Sequence, residues 1–167
     1  MSHRGCITIE RASREDADAI LALQKLAYLS EAEILGDFTI EPLRQTRQDI
    51  LAEFACRTCL KAEARKGIIG SVRAFQEGVT CHIGKLIVHP DQQHQGLGTR
   101  LLLAAEALYP ESARLELFTS HKSERNLRFY AKRGYTIFKE QVVSDILTLV
   151  FLEKWKQPRA ATGRHEA

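Results

Sequence analysis

The chain has 167 residues, 44% hydrophobic and 27% charged, with a formal net charge of +3, the balance of one ordinary globular domain with a sizeable core. No run approaches the roughly 20 apolar residues that a membrane span requires. The opening MSHRGCITIE has no apolar h-region, so the expectation is a cytoplasmic protein without a secretory leader or a membrane partner. Basic residues are spread along the chain, with only a loose cluster at Lys154, Lys156, Arg159 and Arg164, which argues against a nucleic-acid binder.

In chain order, CITIERA alternates as a strand does. Ser13 with Asp16 three residues on forms a weak capping box, and Ile20, Leu23, Leu26 and Ala27 follow at helical spacing to about Ser30. EAEILGDFTIEPLRQT, interrupted by Gly36 and Pro42, reads as irregular, and a second helix is predicted over 47–55. TCLKAEA and IIGSVRAFQ read as strands joined by a hairpin at RKG. Glu77-Gly78 then turns the chain into a third, VTCHIGKLIV.

TRLLLAAEAL is a helix stopped by Pro110, and RLELFT is a strand. SERNLRFYAKRG is a helix whose Gly134 stands where a left-handed C-terminal cap is expected. YTIFKE and DILTLVFLEKW close the chain as strands, and residues 157–167, with little to bury, are expected to form a disordered tail. Helical crossovers combined with hairpins predict an α/β (α+β) domain over 1–156. It has a mixed, mainly antiparallel sheet of about six or seven strands flanked by about four helices.

Cys56 and Cys59 make a CxxC, but it falls where a helix gives way to a strand, not at a helix start where the dipole would activate a thiol. With Cys6 and Cys81 the only others, no second pair stands at metal spacing. No metal site is expected.

The stretch VHPDQQHQGLGTRLL is the most informative. A strand, a glycine loop and a helix N-terminus make an anion site, because first-turn N–H groups lack intrahelical partners and glycine lets a phosphate approach the backbone. A Walker loop would need Lys-Ser/Thr after Gly98, where Thr99-Arg100 stands, and a dinucleotide fingerprint would need glycine at Leu101. Neither fits. Gln93-His94-Gln95-Gly96-Leu97-Gly98 instead resembles the Q/R-x-x-G-x-G/A loop of the GNAT superfamily of N-acetyltransferases, preceded by KLIVHPD as that family's fourth strand. NLRFYAKRGY, from Asn126, resembles its late-helix pattern N-x-x-[FY]-Y-x-x-x-G-[FY], so the likeness runs over about 6–155.

The resemblance implies an acyl-CoA-dependent N-acetyltransferase that moves acetyl from acetyl-CoA to a primary amine of a small molecule or peptide in a ternary complex. A non-catalytic acyl-CoA sensor of the same fold is the alternative. It places the pyrophosphate on the backbone of Gln93, His94, Gln95, Gly96, Leu97, Gly98 and Thr99. The pantetheine arm lies along Leu86, Ile87 and Val88, the Val88 amide faces the thioester oxygen, and Asn126 contacts the cofactor. Tyr130 matches the tyrosine that protonates the leaving thiolate, although Leu127, Tyr130 and Ala131 also form a core stripe. His82 stands eleven residues before Gln93, where relatives carry a glutamate base, and strand parity puts it on one face with Gly84, Leu86 and Val88. Glu116 and His121 are reserves. Glu31, Glu33, Asp37 and Glu41 are the acids placed to receive a cationic acceptor, or else a solvated loop. A homodimer is expected from the family habit alone.

Overall fold

The structure, a computed structural model, describes residues 6–157; the expected tail beyond 157, with Arg159 and Arg164, lies outside the described residues. The strands are β1 (Thr8–Arg11), β2 (Thr58–Ala64), β3 (Gly67–Glu77), β4 (Thr80–Val88), β5 (Arg114–Ser120), β6 (Thr136–Val142) and β7 (Thr148–Trp155). They form one seven-stranded sheet in the order β1-β2-β3-β4-β5-β7-β6. Five of the six neighbouring pairs are antiparallel, of which β2–β3, β3–β4 and β6–β7 follow one another directly in the chain. The pair β4–β5 is parallel and spans only Thr80–His82 against Arg114–Glu116. Beyond those rungs the two strands part.

The helices are α1 (Ala17–Leu35), α2 (Glu41–Arg44), α3 (Arg47–Cys56), α4 (Leu97–Glu106) and α5 (Glu124–Ala131). On one face α4 packs across β2, β3 and β4, and Leu101, Leu102, Val72, Ile83, Leu115, Leu117 and Leu152 form the core with it. A Cβ on Gly70 would stand 2.7 Å from the Leu101 side chain, so glycine sets how closely α4 approaches β3. On the other face α1 lies over β3 and β4 and contacts α2 and α3.

A buried polar network fixes that second layer. Arg73 of β3, 1% exposed, donates to Glu53 Oε2 of α3 at 2.8 Å and to Gln24 Oε1 of α1 at 2.7 Å. Gln24 in turn donates to Gln45 Oε1 and to the Pro42 carbonyl, and Gln45 donates to Glu53 Oε1. Buried charge is tolerated when paired in this way.

Several boundaries differ from the sequence expectation. Helix α1 runs to Leu35, not Ser30, and ends at Gly36 with φ +71°. Its buried stripe is Ala17, Ile20, Leu23, Gln24, Ala32 and Leu35, while Leu26 is exposed. A polar residue in the stripe hides the periodicity. The segment read as irregular therefore contains the last turn of α1 and the one-turn α2, with Pro42 in its first turn. Helix α4 begins at Leu97, two residues early, and β7 begins at Thr148, after a turn in which Val143 N–H bonds the Leu147 carbonyl.

The parity argument for β4 also needs correction. Arg73 pairs with Gly84 but Ser71 pairs with Ile87, so β4 carries an extra residue where Lys85 adopts φ +50°. This β-bulge breaks the alternation. His82 and Gly84 share a face with Ile87, while Val88, opposite Gly70, turns towards α4.

Among the described residues, no helix is long and apolar enough to cross a membrane.

Candidate active site

The cavity lies where β4 parts from β5. It has a volume of about 400 Å³, with walls from α1, the end of β4, the loop into α4, and α5. Of the residues singled out in the sequence, Leu86, Ile87, Val88, Gln93, His94, Gly96, Gly98, Thr99, Asn126, Tyr130 and Glu31 line it. Gln95 and Leu97 do not: Gln95 points outward and bonds the Asp91 carbonyl, and Leu97 is buried in the core beneath the loop.

The loop is built to present backbone donors. His94 (φ +59°) and Gly96 (φ +81°) both adopt left-handed conformations, turning successive peptides inward as anion-binding nests do. Gly96 caps α4 without a side chain, and the first helical bond runs from Arg100 N–H to the Gly96 carbonyl. The N–H groups of Leu97, Gly98 and Thr99 therefore have no intrahelical acceptor. A Cβ on Gly98 would point across the cavity wall, 3.6 Å from Phe129 and 3.9 Å from Val88. Gln93 fastens the loop to the strand: its amide donates to the Val88 carbonyl at 3.2 Å, and its oxygen accepts from Arg125 at 2.8 Å.

At Val88 the backbone faces the opening. The next residue, His89, donates its N–H to the Ile69 carbonyl of the β3 side at 2.8 Å. Alternation along an antiparallel strand then turns the Val88 N–H the other way, towards the gap left by β5.

Opposite stand Tyr130, Tyr28 and Glu31. Tyr130 is nearly buried, edge-on to Phe129 at 5.2 Å and to Tyr135 at 5.9 Å. Burial, reinforced by the negative charge of Glu31, raises its pKa well above the ordinary tyrosine value. Tyr28 is raised by burial and by its neighbour Tyr130. Glu31 Oε1 accepts from Ser123 Oγ at 2.8 Å and from Asn126 Nδ2 at 3.3 Å. Asn126 also reaches Thr119 Oγ1, so α1, β5 and α5 meet at this carboxylate.

The remaining candidates lie outside the lining. His82, half-buried, stacks on Phe75 at 4.7 Å, with Glu77 and Glu116 carboxylates 3.7 and 3.8 Å from its ring nitrogens. Glu116 is paired with Arg114. His121 holds its Nδ1 3.1 Å from the Thr148 N–H. Glu33 is exposed. Asp37 accepts from Thr39 N–H and Oγ1 within its own loop, and Glu41 of α2 pairs with Lys85 of β4.

Six lining residues escaped the sequence reading of the site: Ala27, Tyr28, Ser30, Arg125, Phe129 and Arg133. Arg125 and Arg133 flank Phe129 four residues away on either side, a same-face spacing on a helix that could have revealed them. Arg133 donates to Thr99 and to the Phe129 carbonyl, with its guanidinium 3.6 Å from the Phe129 ring centroid. Tyr28 left no such signal, because only the packing of α1 on β4 brings it to the cavity. The cavity is thus positive beside the glycine loop and negative at Glu31.

Among solved structures, the PaiA N-acetyltransferase of Thermoplasma acidophilum, in complex with coenzyme A, matches with a TM-score of 0.76 at 18% identity. The match covers 90% of this chain and 99% of that one. The ribosomal-protein-S18-alanine N-acetyltransferase of Escherichia coli matches with a TM-score of 0.75 at 13% identity, covering 94% and 98%. UPF0157 protein YqkA of Bacillus subtilis (strain 168) is 27% identical over 119 residues, 71% of this chain, and the chain spans 34% of that protein's length. A model of the acetyltransferase (GNAT) family matches residues 19–135. With the mixed sheet, the parted strands and the glycine loop in place, the chain belongs to the GNAT acetyltransferase family.

Proposed function

We propose that the protein transfers an acetyl group from acetyl-CoA to a primary amine, carried by a small molecule or a peptide, in a direct ternary complex. One observation carries this reading: a single cavity joins a nest of backbone donors at the α4 N-terminus to a buried tyrosine and an oriented carboxylate.

The chain's donors suit coenzyme A. The N–H groups of Leu97, Gly98 and Thr99, with Arg125 and Arg133 beside them, would hold the pyrophosphate. Leu86–Val88, with no β5 partner, would pair with the pantetheine amides as a neighbouring strand would. Bound acetyl-CoA supplies the activated acetyl thioester. Val88 N–H then stabilises charge developing on the carbonyl oxygen, and juxtaposition of the reactants supplies much of the rate. Tyr130 Oη keeps its proton through neutral pH and can deliver it to the departing sulfur. Glu31 attracts the incoming ammonium and takes a proton from it through Oε2, the oxygen not engaged by Ser123 or Asn126 among the described residues. Because His82 stands outside the lining, the base role passes from it to Glu31 in this proposal.

The first test is a thermal-shift titration with acetyl-CoA, CoA, NADH and ATP, followed by an amine panel. A ligand at about 100 times its Kd stabilises the fold by roughly 2.7 kcal/mol. Stabilisation by both CoA species and not by NADH or ATP, followed by turnover, supports the proposal. Binding without turnover on any amine would favour an acyl-CoA sensor.

A further inference from the structure

A second cavity, of about 360 Å³, opens at the other end of the sheet. Its walls include Arg11 at the end of β1, Phe54 and Cys56 of α3, and Arg57, Thr58 and Tyr109. Thr58 pairs with Ala74 of β3, and Ala74 pairs with Ile83 of β4, whereas the first cavity opens at Leu86–Val88. The two share no lining residue. We propose that this second cavity binds a small organic anion, a carboxylate or phosphate monoester carried on an apolar body.

Charge carries the argument. Among the described residues four arginines are at least half-buried: Arg57, Arg73, Arg114 and Arg133. Arg73, Arg114 and Arg133 each donate to side-chain oxygens of the protein. The Arg57 guanidinium makes no such bond among the described residues. It rests 4.9 Å from the Phe75 ring centroid, and Phe75 is stacked in turn on His82. This ring contact holds the cation in place without consuming an N–H. Arg11 has no carboxylate partner among the described residues either. Glu10 and Glu53, the acids nearest the two arginines in the chain, are paired with Lys61 and Arg73. The lining itself contains no acidic side chain. Guanidinium groups left in this state offer paired N–H donors to a carboxylate or a phosphate.

The end of α3 at Cys56 opposes an anion with roughly half a negative charge. Two full positive charges exceed it, and Arg57 is itself the C-cap of that helix.

Size and the remaining walls define the rest of the ligand. The volume of about 360 Å³ lies within the ~300–1,000 Å³ of small-molecule sites, more than a bare phosphate needs. Phe54, Ala12 and Ala55 supply apolar wall. Thr58 Oγ1 lies 3.0 Å from Tyr109 Oη, which also reaches the Ala74 carbonyl, so these hydroxyls are already engaged with one another and with the sheet. An anionic head on an apolar body matches this lining.

Cys56 supplies the readout. It lines the cavity and is exposed, as is Cys6 beyond the far end of β1, while Cys59 and Cys81 are buried. The full chain is alkylated with iodoacetamide in the presence of phenyl phosphate, phenylacetate or, as an uncharged control, benzyl alcohol. Each is titrated to about 10 mM, a range that reaches weak fragment binding, and every cysteine is followed by mass spectrometry. The expected result is that an anion slows modification of Cys56 several-fold, with Cys6 unchanged and benzyl alcohol inactive. Protection by phenyl phosphate alone assigns a phosphate ester, and protection by phenylacetate alone a carboxylate. Arg57→Gln and Arg11→Gln should each raise the concentration required roughly tenfold or more, the worth of a charge-assisted hydrogen bond. Arg65→Gln, on the exposed turn between β2 and β3, should not. Circular dichroism melts verify that the variants fold. Absence of protection by either anion overturns the proposal, as does equal protection by benzyl alcohol. Protection that survives both cavity substitutions in folded chains overturns it by placing the anion elsewhere.

Discussion

Glu31 of α1 accepts a 2.8 Å hydrogen bond from Ser123, the residue that precedes α5, so two helices far apart in sequence meet at one carboxylate. The bond uses Oε1 and fixes the direction of the other oxygen. A glutamine keeps that acceptor and loses the charge. Glu31→Gln should therefore fold normally and retain its thermal shift with CoA, while kcat/KM for a cationic amine falls by about a hundredfold or more. Measured beside it, His82→Ala should leave kcat/KM essentially unaltered; the reverse ranking would return the base role to His82.

Tyr130→Phe removes a hydroxyl whose pKa burial has raised, so the group lost is a protonated donor at neutral pH. The ring contacts with Phe129 and Tyr135 remain. The expected outcome is a fall in kcat of roughly 10²–10⁴ with little change in Kd for CoA, measured by thiol release and isothermal titration. Tyr28→Phe, in the same cavity, serves as the comparison: an equal loss there would show that the two hydroxyls share the task.

Gly98 separates binding from stability. Its conformation is helical and a Cβ would make only an ordinary contact with Phe129, so Gly98→Ala should leave the unliganded fold as stable or raise it by up to about 1 kcal/mol. The same methyl would intrude on the cavity wall. Its melting point without ligand should hold, and the shift with CoA should shrink or vanish.

The Arg73 network predicts a large stability effect far from the chemistry. Arg73→Ala would leave Glu53 and Gln24 without the guanidinium they share, at a cost of about 3–5 kcal/mol. Urea denaturation should show it. Arg73→Met, which fills the volume but also strands Glu53, should recover only part.

Asp16 gives the pH dependence. Burial opposes its ionisation, but the Ser13 N–H and Lys61 outweigh this, and its pKa lies below the ordinary value. A carboxylate with a depressed folded pKa contributes stability above its unfolded pKa, near 3.9, and loses it as pH falls through the folded value. Asp16→Asn should cost about 1 kcal/mol at pH 7. Once the pH has fallen below the folded value, where wild-type Asp16 is also neutral, the difference should close.

How much of this was legible depended on the range of the interaction. Strands, the two glycine-bearing caps and the phosphate loop rest on neighbours in sequence, and they could be read from Gly96, Gly134 and the alternation in TCLKAEA. The end of α1 could not, because Gln24 occupies an apolar position for the sake of Arg73, 49 residues later. Nor could the bulge at Lys85, where a lysine adopts a left-handed φ with no glycine to announce it. Tyr28 became visible only when α1 was laid on the sheet. Within the site, most of the residues carried by the two motifs line one cavity, Gln95 and Leu97 excepted, while those chosen by counting along β4 or by acidity alone mostly do not.

The parting of β4 from β5 after three rungs has a consequence for how such proteins diverge. A strand edge left open inside a sheet offers peptide groups, and every residue except proline brings the same ones. What occupies positions 86–88 is then constrained by shape and strand-forming tendency more than by identity. Substitutions there can accumulate while the docking line persists, and the replacement the line cannot absorb is proline.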